Sequence, residues 1–149
     1  MGGTASWIAG LMRENYEAVG FIPEPTVARQ YVANGRYVIQ RDEVGRRVGY
    51  LLHGSPAYGH SLNVAQHCIQ YERRRHGYGE DALSELIARA ENAGVSGITA
   101  RVGTDLEALN FWLSQGFRFR DVVPGGQRRQ RSIARLWLPL QLPLLELTA

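Results

Sequence analysis

Lysine is missing from this chain of 149 residues: every cationic position, seventeen in all, is arginine. Cysteine is nearly missing too. The lone Cys68 cannot close an internal disulfide, and no second cysteine completes a redox or zinc-ligand pair. A reducing, cytoplasmic setting is therefore expected, with no metal. No stretch approaches the ~20 apolar residues that a membrane span needs, and the leucine-rich "LWLPLQLPLLEL" is broken by Pro139 and Pro143. The N-terminal residues show no cationic segment followed by an apolar one, so no secretory leader is expected. Internal repeats and low-complexity tracts are absent as well.

What is present is an ordinary globular composition. An apolar fraction of 44% against 21% charged argues against disorder. A domain of this size buries roughly 68 to 70% of the surface of its unfolded chain, enough for a core without staples. One domain over 1–149 is expected, with a modest net charge of +3.

Residues 5 to 19 read as a helix, because Ile8, Leu11, Met12 and Tyr16 recur near helical spacing and Gly20 stops it. A second short helix is expected after Pro25, with Thr26 as cap and Gly35 as stop. "RYVIQRD" and "RRVGYLLHG" are β-rich runs joined by "EVG", a hairpin signal, and "SLNVAQHCIQ" alternates as a further strand. Leu83, Leu86, Ile87 and Ala90 then mark an amphipathic helix over residues 80 to 93, closed by Gly94. "SGITARVG" is a strand, Asp105 is placed to cap the helix "LEALNFWLSQ", and two strands follow, "FRFRDVV" and "SIARLWLPL".

Between the third strand and the amphipathic helix lies "RRRHGYGE", Arg73 to Glu80. Two glycines at a strand-to-helix turn let backbone N–H groups converge on one point, where the helix dipole adds positive charge, and nearby arginines pair with phosphate oxygens. Such a turn suits a pyrophosphate. Glu80 is an acid beside it, and an early helical position turned outward would let it complement the dipole.

The spacing Arg74, Gly77, Gly79 is RxxGxG and resembles the acetyl-CoA signature of the GCN5-related N-acetyltransferases (GNAT). Downstream, "DLEALNFWLSQGF" resembles that family's (N/D)xxAxxxYxxxGF segment through Asp105, Ala108, Gly116 and Phe117. The two matches span roughly residues 62 to 119. The resemblance implies an α/β (α+β) fold: a single domain with a mixed, mostly antiparallel sheet of about six strands and about four helices. It also implies that acetyl-CoA is the cofactor. Cys68 and Ile69 would offer backbone groups to the pantetheine arm, and Arg74, Arg75, His76, Gly77, Tyr78 and Gly79 would bind the pyrophosphate through their amides. Asp105 and Asn110 would face the pantetheine. The implied activity is transfer of an acetyl group to a primary amine by direct attack on the thioester. For an enzyme that modifies amines, having no lysine of its own would be an advantage; GC-rich codon usage explains the same absence.

The family's usual acid, a tyrosine, falls on Trp112, and its carboxylate bases fall on Asn63 and Arg101. Alternation puts Asn63, Ala65 and His67 on one strand face, which makes His67 the candidate base, against a structural histidine. Tyr58 and His60 read as loop surface, His53 as a solvated strand end, and Cys68 as a small core residue rather than a nucleophile.

A second arginine cluster comprises Arg118, Arg120, Arg128, Arg129, Arg131 and Arg135. In the family the loop between the last two strands borders the acceptor, here about residues 124 to 131. Arg128, Arg129 and Arg131 are accordingly candidate substrate-binding residues for an anionic acceptor, against a solvated basic loop. The alternatives are a relative that modifies a nucleic-acid base or an aminoacyl-tRNA, reached through the 125–131 loop, and a module that binds CoA or nucleic acid without catalysis. The expected partners are acetyl-CoA and an amine, with no membrane; a homodimer is compatible with the family.

Overall fold

The computed structural model describes residues 3–125 and 131–140. Its elements are α1 (Thr4–Glu14), α2 (Tyr16–Val19), α3 (Glu24–Thr26), a π-helical turn (Val27–Val32), β1 (Tyr37–Arg41), β2 (Arg47–His53), β3 (Ser61–Ile69), a 3-10 turn (Tyr71–Arg73), α4 (Tyr78–Asn92), β4 (Gly97–Gly103), α5 (Ala108–Ser114), β5 (Arg118–Pro124) and β6 (Ser132–Pro139). The six strands have the order β1-β2-β3-β4-β6-β5. Only β3 and β4 pair in parallel among the registers described; β1 with β2, β4 with β6 and β5 with β6 are antiparallel. This is the mixed, mostly antiparallel sheet that was expected. Among the described residues no helix is long and apolar enough to cross a membrane.

The chain divides into two compact units, one built from Met1–Ser55 with Ala65–Ile87 and the other from Pro56–Val64 with Ala88–Ala149. In the first, Ile8, Leu11 and Met12 of α1 pack with Val27, Tyr50, Leu52 and Cys68. Fully burying one such side chain stabilises by about 1.5 to 3 kcal/mol, so this cluster fixes where the ends of β2 and β3 lie. The expected helix over 5–19 is broken at Asn15, whose side-chain amide donates to Leu11 O at 2.9 Å. The break turns Tyr16 out, leaving it 50% exposed rather than in the apolar stripe. Thr26 is helical and caps nothing, because the chain continues into a widened turn in which Ala33 N–H reaches Ala28 O, five residues back, at 2.8 Å. His53, expected at a solvated strand end, is buried, with Nδ1 2.7 Å from Gly54 O.

Where β2 passes the end of β3, Gly49 has no room for a side chain. A Cβ there would lie 2.8 Å from the Cys68 carbonyl oxygen and would strike the Ile69 side chain. Gly49→Ala is expected to destabilise the fold by about 1 to 3 kcal/mol through overpacking, read as a lower urea midpoint; an unchanged midpoint would contradict this packing.

In the second unit β3 pairs with β4 over only three residue pairs, ending at Asn63 and Thr99. The inner side of β4 and β6 buries Ile98, Ala100, Val102, Ala134 and Leu136. Trp112 is buried too, edge-on to Phe111 and Phe117 at centroid distances of 5.3 and 5.0 Å. On the outer side Gly97 lies flat under Trp137, whose ring occupies the space a Cβ would need.

Candidate functional site

The stretch Arg73 to Glu80 lies wholly in the first unit. After the 3-10 turn, Arg75 has φ +66° and Gly77 φ +85°, so the chain twice enters the left-handed region within three residues. It then starts α4 at Tyr78, two residues earlier than the apolar spacing predicts. The first amide bonded back along the helix is that of Asp81, to Gly77 O at 3.0 Å. The amides before it belong to the first turn, where a helix supplies no carbonyl partner. Such amides, with the positive end of a fifteen-residue helix behind them, are the kind of group that suits an anion. A Cβ on Gly77 would meet nothing within 4 Å, so space is open in front of the turn. These features fit a pyrophosphate. Glu80 and Asp81 occupy the first turn and are exposed, the outward placement expected for Glu80.

The arginine run has a different task from the one its charge suggests. Arg74 turns back along the chain: its Nε donates to Ile69 O at 3.0 Å and its Nη2 to Asn15 Oδ1 at 2.8 Å, with the guanidinium 5.3 Å from the Tyr71 ring centroid. Its amide is also engaged, with Tyr71 O at 3.3 Å. Arg73 reaches the buried carboxylate of Asp42 at 3.2 Å. Two of the three arginines thus strap the loop to its own unit.

Asp42 organises that strap. Its Oδ1 accepts from the amides of Val44 and Arg46 at 3.1 and 2.9 Å, closing the β1–β2 hairpin, and its Oδ2 accepts from Arg46 Nε at 3.0 Å. Burial works to raise the Asp42 carboxyl, but these bonds and the Arg46 charge hold it below the usual carboxylate value. The neighbouring Glu43 accepts from Tyr78 OH at 3.2 Å. The hairpin tip therefore grips the loop on both sides of its glycine, at Arg73 and at Tyr78. Asp42→Asn is expected to leave far-UV circular dichroism unchanged and to weaken acetyl-CoA binding about tenfold by releasing Arg73. Titration calorimetry measures it; wild-type affinity would show that the strap is idle.

The other sequence-derived residues divide between the two units. In the first, Cys68 is a buried free thiol. Burial pushes it up to about 11, against a smaller pull from Arg74, which suits a core residue and not a nucleophile. The Ile69 carbonyl is already taken by Arg74. His67 lies half-buried in β3 with its Nε2 shielded from water, and burial lowers it to about 4. In the second unit, Asp105 does not cap α5. The helix starts at Ala108 with Glu107 at the cap position, and the Asp105 carboxylate lies 3.3 Å from Arg131 Nε, the pair bracketing Gly103. A candidate cofactor residue and a candidate substrate residue thus hold each other. Asn110 is exposed on α5. Arg128 and Arg129 lie outside the described residues. Tyr58, read as loop surface, is 65% exposed yet rests its ring where a Cβ on Gly94 would sit.

A cleft of about 410 Å³ opens on the second unit, lined by Asn63, Thr99, Arg101, Arg120, Asp121 and Arg135. Thr99 donates to Asn63 Oδ1 at 3.1 Å on one side, and Arg135 forks onto both oxygens of Asp121 on the other. In the sequence, Asn63 and Arg101 stand where the carboxylate bases of the resembled family fall. Among the described residues no group of three His, Cys, Asp or Glu side chains is placed to hold a metal ion.

No family model matches the sequence, and neither does any curated protein. Solved structures do match. Ard1 from Thermoplasma volcanium superposes with a TM-score of 0.77 at 14% identity, over 92% of this chain and 92% of that one. The ribosomal-protein-S18-alanine N-acetyltransferase from Escherichia coli gives 0.72 at 19% identity, over 95% and 92%. A chain of the NatC complex bound to Gag peptide and CoA gives 0.78 at 15% identity, over 92% and 91%. At these identities the likeness is one of architecture: this chain has the fold of the GCN5-related N-acetyltransferases.

Proposed function

We propose that this protein is an acetyl-CoA-dependent N-acyltransferase acting on a primary amine. The observation that carries the reading is the strand-to-helix turn at Arg75 to Gly79, with two left-handed residues, open space before Gly77 and first-turn amides at the head of α4. Acetyl-CoA would supply an acyl group already activated as a thioester. Backbone amides of Arg75 to Gly79 would hold its pyrophosphate, and the hairpin tip would keep them in position through Asp42 and Glu43. The expected single domain over 1–149 belongs to this reading.

The chain's own residues limit the chemistry. Trp112 is buried among aromatics and carries no proton to give a leaving thiolate. His67, lowered to about 4, is neutral at pH 7 but a weak proton acceptor, so a base role would be expressed only where the amine arrives largely deprotonated. Rate would come chiefly from positioning an amine against an activated ester. The buried Trp112 equally favours a second reading, a CoA-binding module without transfer.

A thiol-release assay with acetyl-CoA across amino acids, polyamines, peptides, aminoglycosides and tRNA separates the two. Turnover with an amine supports the enzyme; acetyl-CoA binding with no thiol released from any acceptor would leave the binding module.

A further inference from the structure

The outer face of the second unit's sheet carries more positive charge than its strands balance among themselves. In the β4–β6 register Arg101 stands directly opposite Arg135, and in the β5–β6 register Arg135 stands opposite Asp121. Like charges directly opposite destabilise a sheet. A register shift between Phe119 and Asp121 brings in a third guanidinium, Arg120, 5.1 Å from the Trp137 ring centroid. Among the described residues lining the cleft, three arginines thus share one acid. The hydrogen bonds from Arg135, opposed in part by burial, and the charges of Arg135, Arg120 and Arg101 hold the Asp121 carboxyl below its usual value.

We propose that this cleft recognises an oxyanion, a carboxylate or phosphate carried by the amine acceptor; the proposal rests on the acyltransferase reading above. Asp121 engages the Nε and Nη2 of Arg135, which leaves the Nη1 edge of that fork. The Arg101 side chain lines the same cleft, and its charge acts on Asp121. Two guanidinium groups opposite each other are a bidentate receptor for a planar carboxylate or a phosphate, and the anion relieves their repulsion. Asn63 and Thr99 extend the lining with polar, uncharged groups. Trp137, the aromatic ring on this face, has Arg120 over it and is not open for base stacking, which favours a small acceptor over a nucleic-acid strand.

The test follows the arginine Nε–H resonances of the full chain by NMR while inorganic phosphate or succinate is added. Arg101 and Arg135 are expected to shift together and saturably, and Arg101→Gln to weaken that binding about tenfold. Asp121→Asn, which removes the competing internal anion, is expected to tighten it; a purely structural ion pair would lose stability on that change and gain no anion affinity. No shift at either arginine up to about 100 mM anion would overturn the site, as would a response to oligonucleotides alone. In the thiol-release assay, β-alanine is then compared with β-alaninamide, and phosphoethanolamine with ethanolamine. A preference for the oxyanion-bearing member, lost in Arg101→Gln, supports the assignment and shows which oxyanion is read; equal rates within both pairs overturn it. Anion binding at Arg101 and Arg135 with no amine acetylated would sustain the oxyanion site while the enzyme reading fails.

Discussion

Replacing Gly77 with valine is expected to raise the dissociation constant for acetyl-CoA by about thirtyfold or more and to leave the overall fold in place. Gly77 sits at φ +85°, where a β-branched residue is strained by about 1 to 3 kcal/mol. The chain would relieve that strain by rotating the peptide units that aim the first-turn amides at the ligand. Crowding within the unit is not the cause, because nothing lies within 4 Å of a Cβ at this position. Gly77→Asn separates the remaining causes, since asparagine tolerates the left-handed region. If φ alone matters, Asn recovers most of the affinity; if the ligand needs the bare backbone to approach, Asn fails with Val. Wild-type affinity in the valine variant would remove the loop from the binding site.

The second large effect concerns acid. Burial lowers His67 from its ordinary 6.5 to about 4. Between those values the unfolded chain binds a proton that the folded chain refuses. Stability is therefore full above about pH 6.5 and is lost as pH falls toward 4, below which the folded form protonates as well. The shift corresponds to about 3 kcal/mol at most, the largest single pH-linked contribution expected in this window. His67→Gln should flatten the decline between pH 6.5 and 4 in urea unfolding, whatever its effect at pH 7. Asp42 and Asp121, both held below their usual values, lose their contribution only at lower pH and do not confuse the comparison. Parallel decline in wild type and variant would show that the imidazole is not withdrawn from water. The same burial predicts that any His67 limb in a kcat/KM profile lies near pH 4 and not near 6.5.

What was legible in the residues was local. The α4 stripe, the β-branched β4, the "QGF" stop after α5 and the glycine turn before α4 each carry their signal within a few positions, and the structure has them with small shifts of boundary. What was hidden depends on partners distant in the chain. The break at Asn15 belongs with its bond to Arg74, and the glycine turn before α4 is tied to Asp42 and Glu43 across the unit. Charge suggested that Arg73 and Arg74 face the ligand, yet both find nearer acceptors inside the fold. The cleft escaped for a related reason: Arg101, Arg135 and Asp121 meet only through strand register, and Arg120 joins them through a register shift that no local pattern announces. Sequence spacing led instead to Arg131, whose guanidinium is held by Asp105.

The central claim is that the turn before α4 holds the pyrophosphate of acetyl-CoA. Titration calorimetry of the full chain with acetyl-CoA and with S-acetylpantetheine, which has the thioester arm without the pyrophosphate, tests it most directly. The expected result is saturable acetyl-CoA binding with a dissociation constant in the ~1 μM to 1 mM range, and S-acetylpantetheine weaker by about tenfold or more. Equal affinity for the two, or no heat from acetyl-CoA at millimolar concentration, would contradict the account.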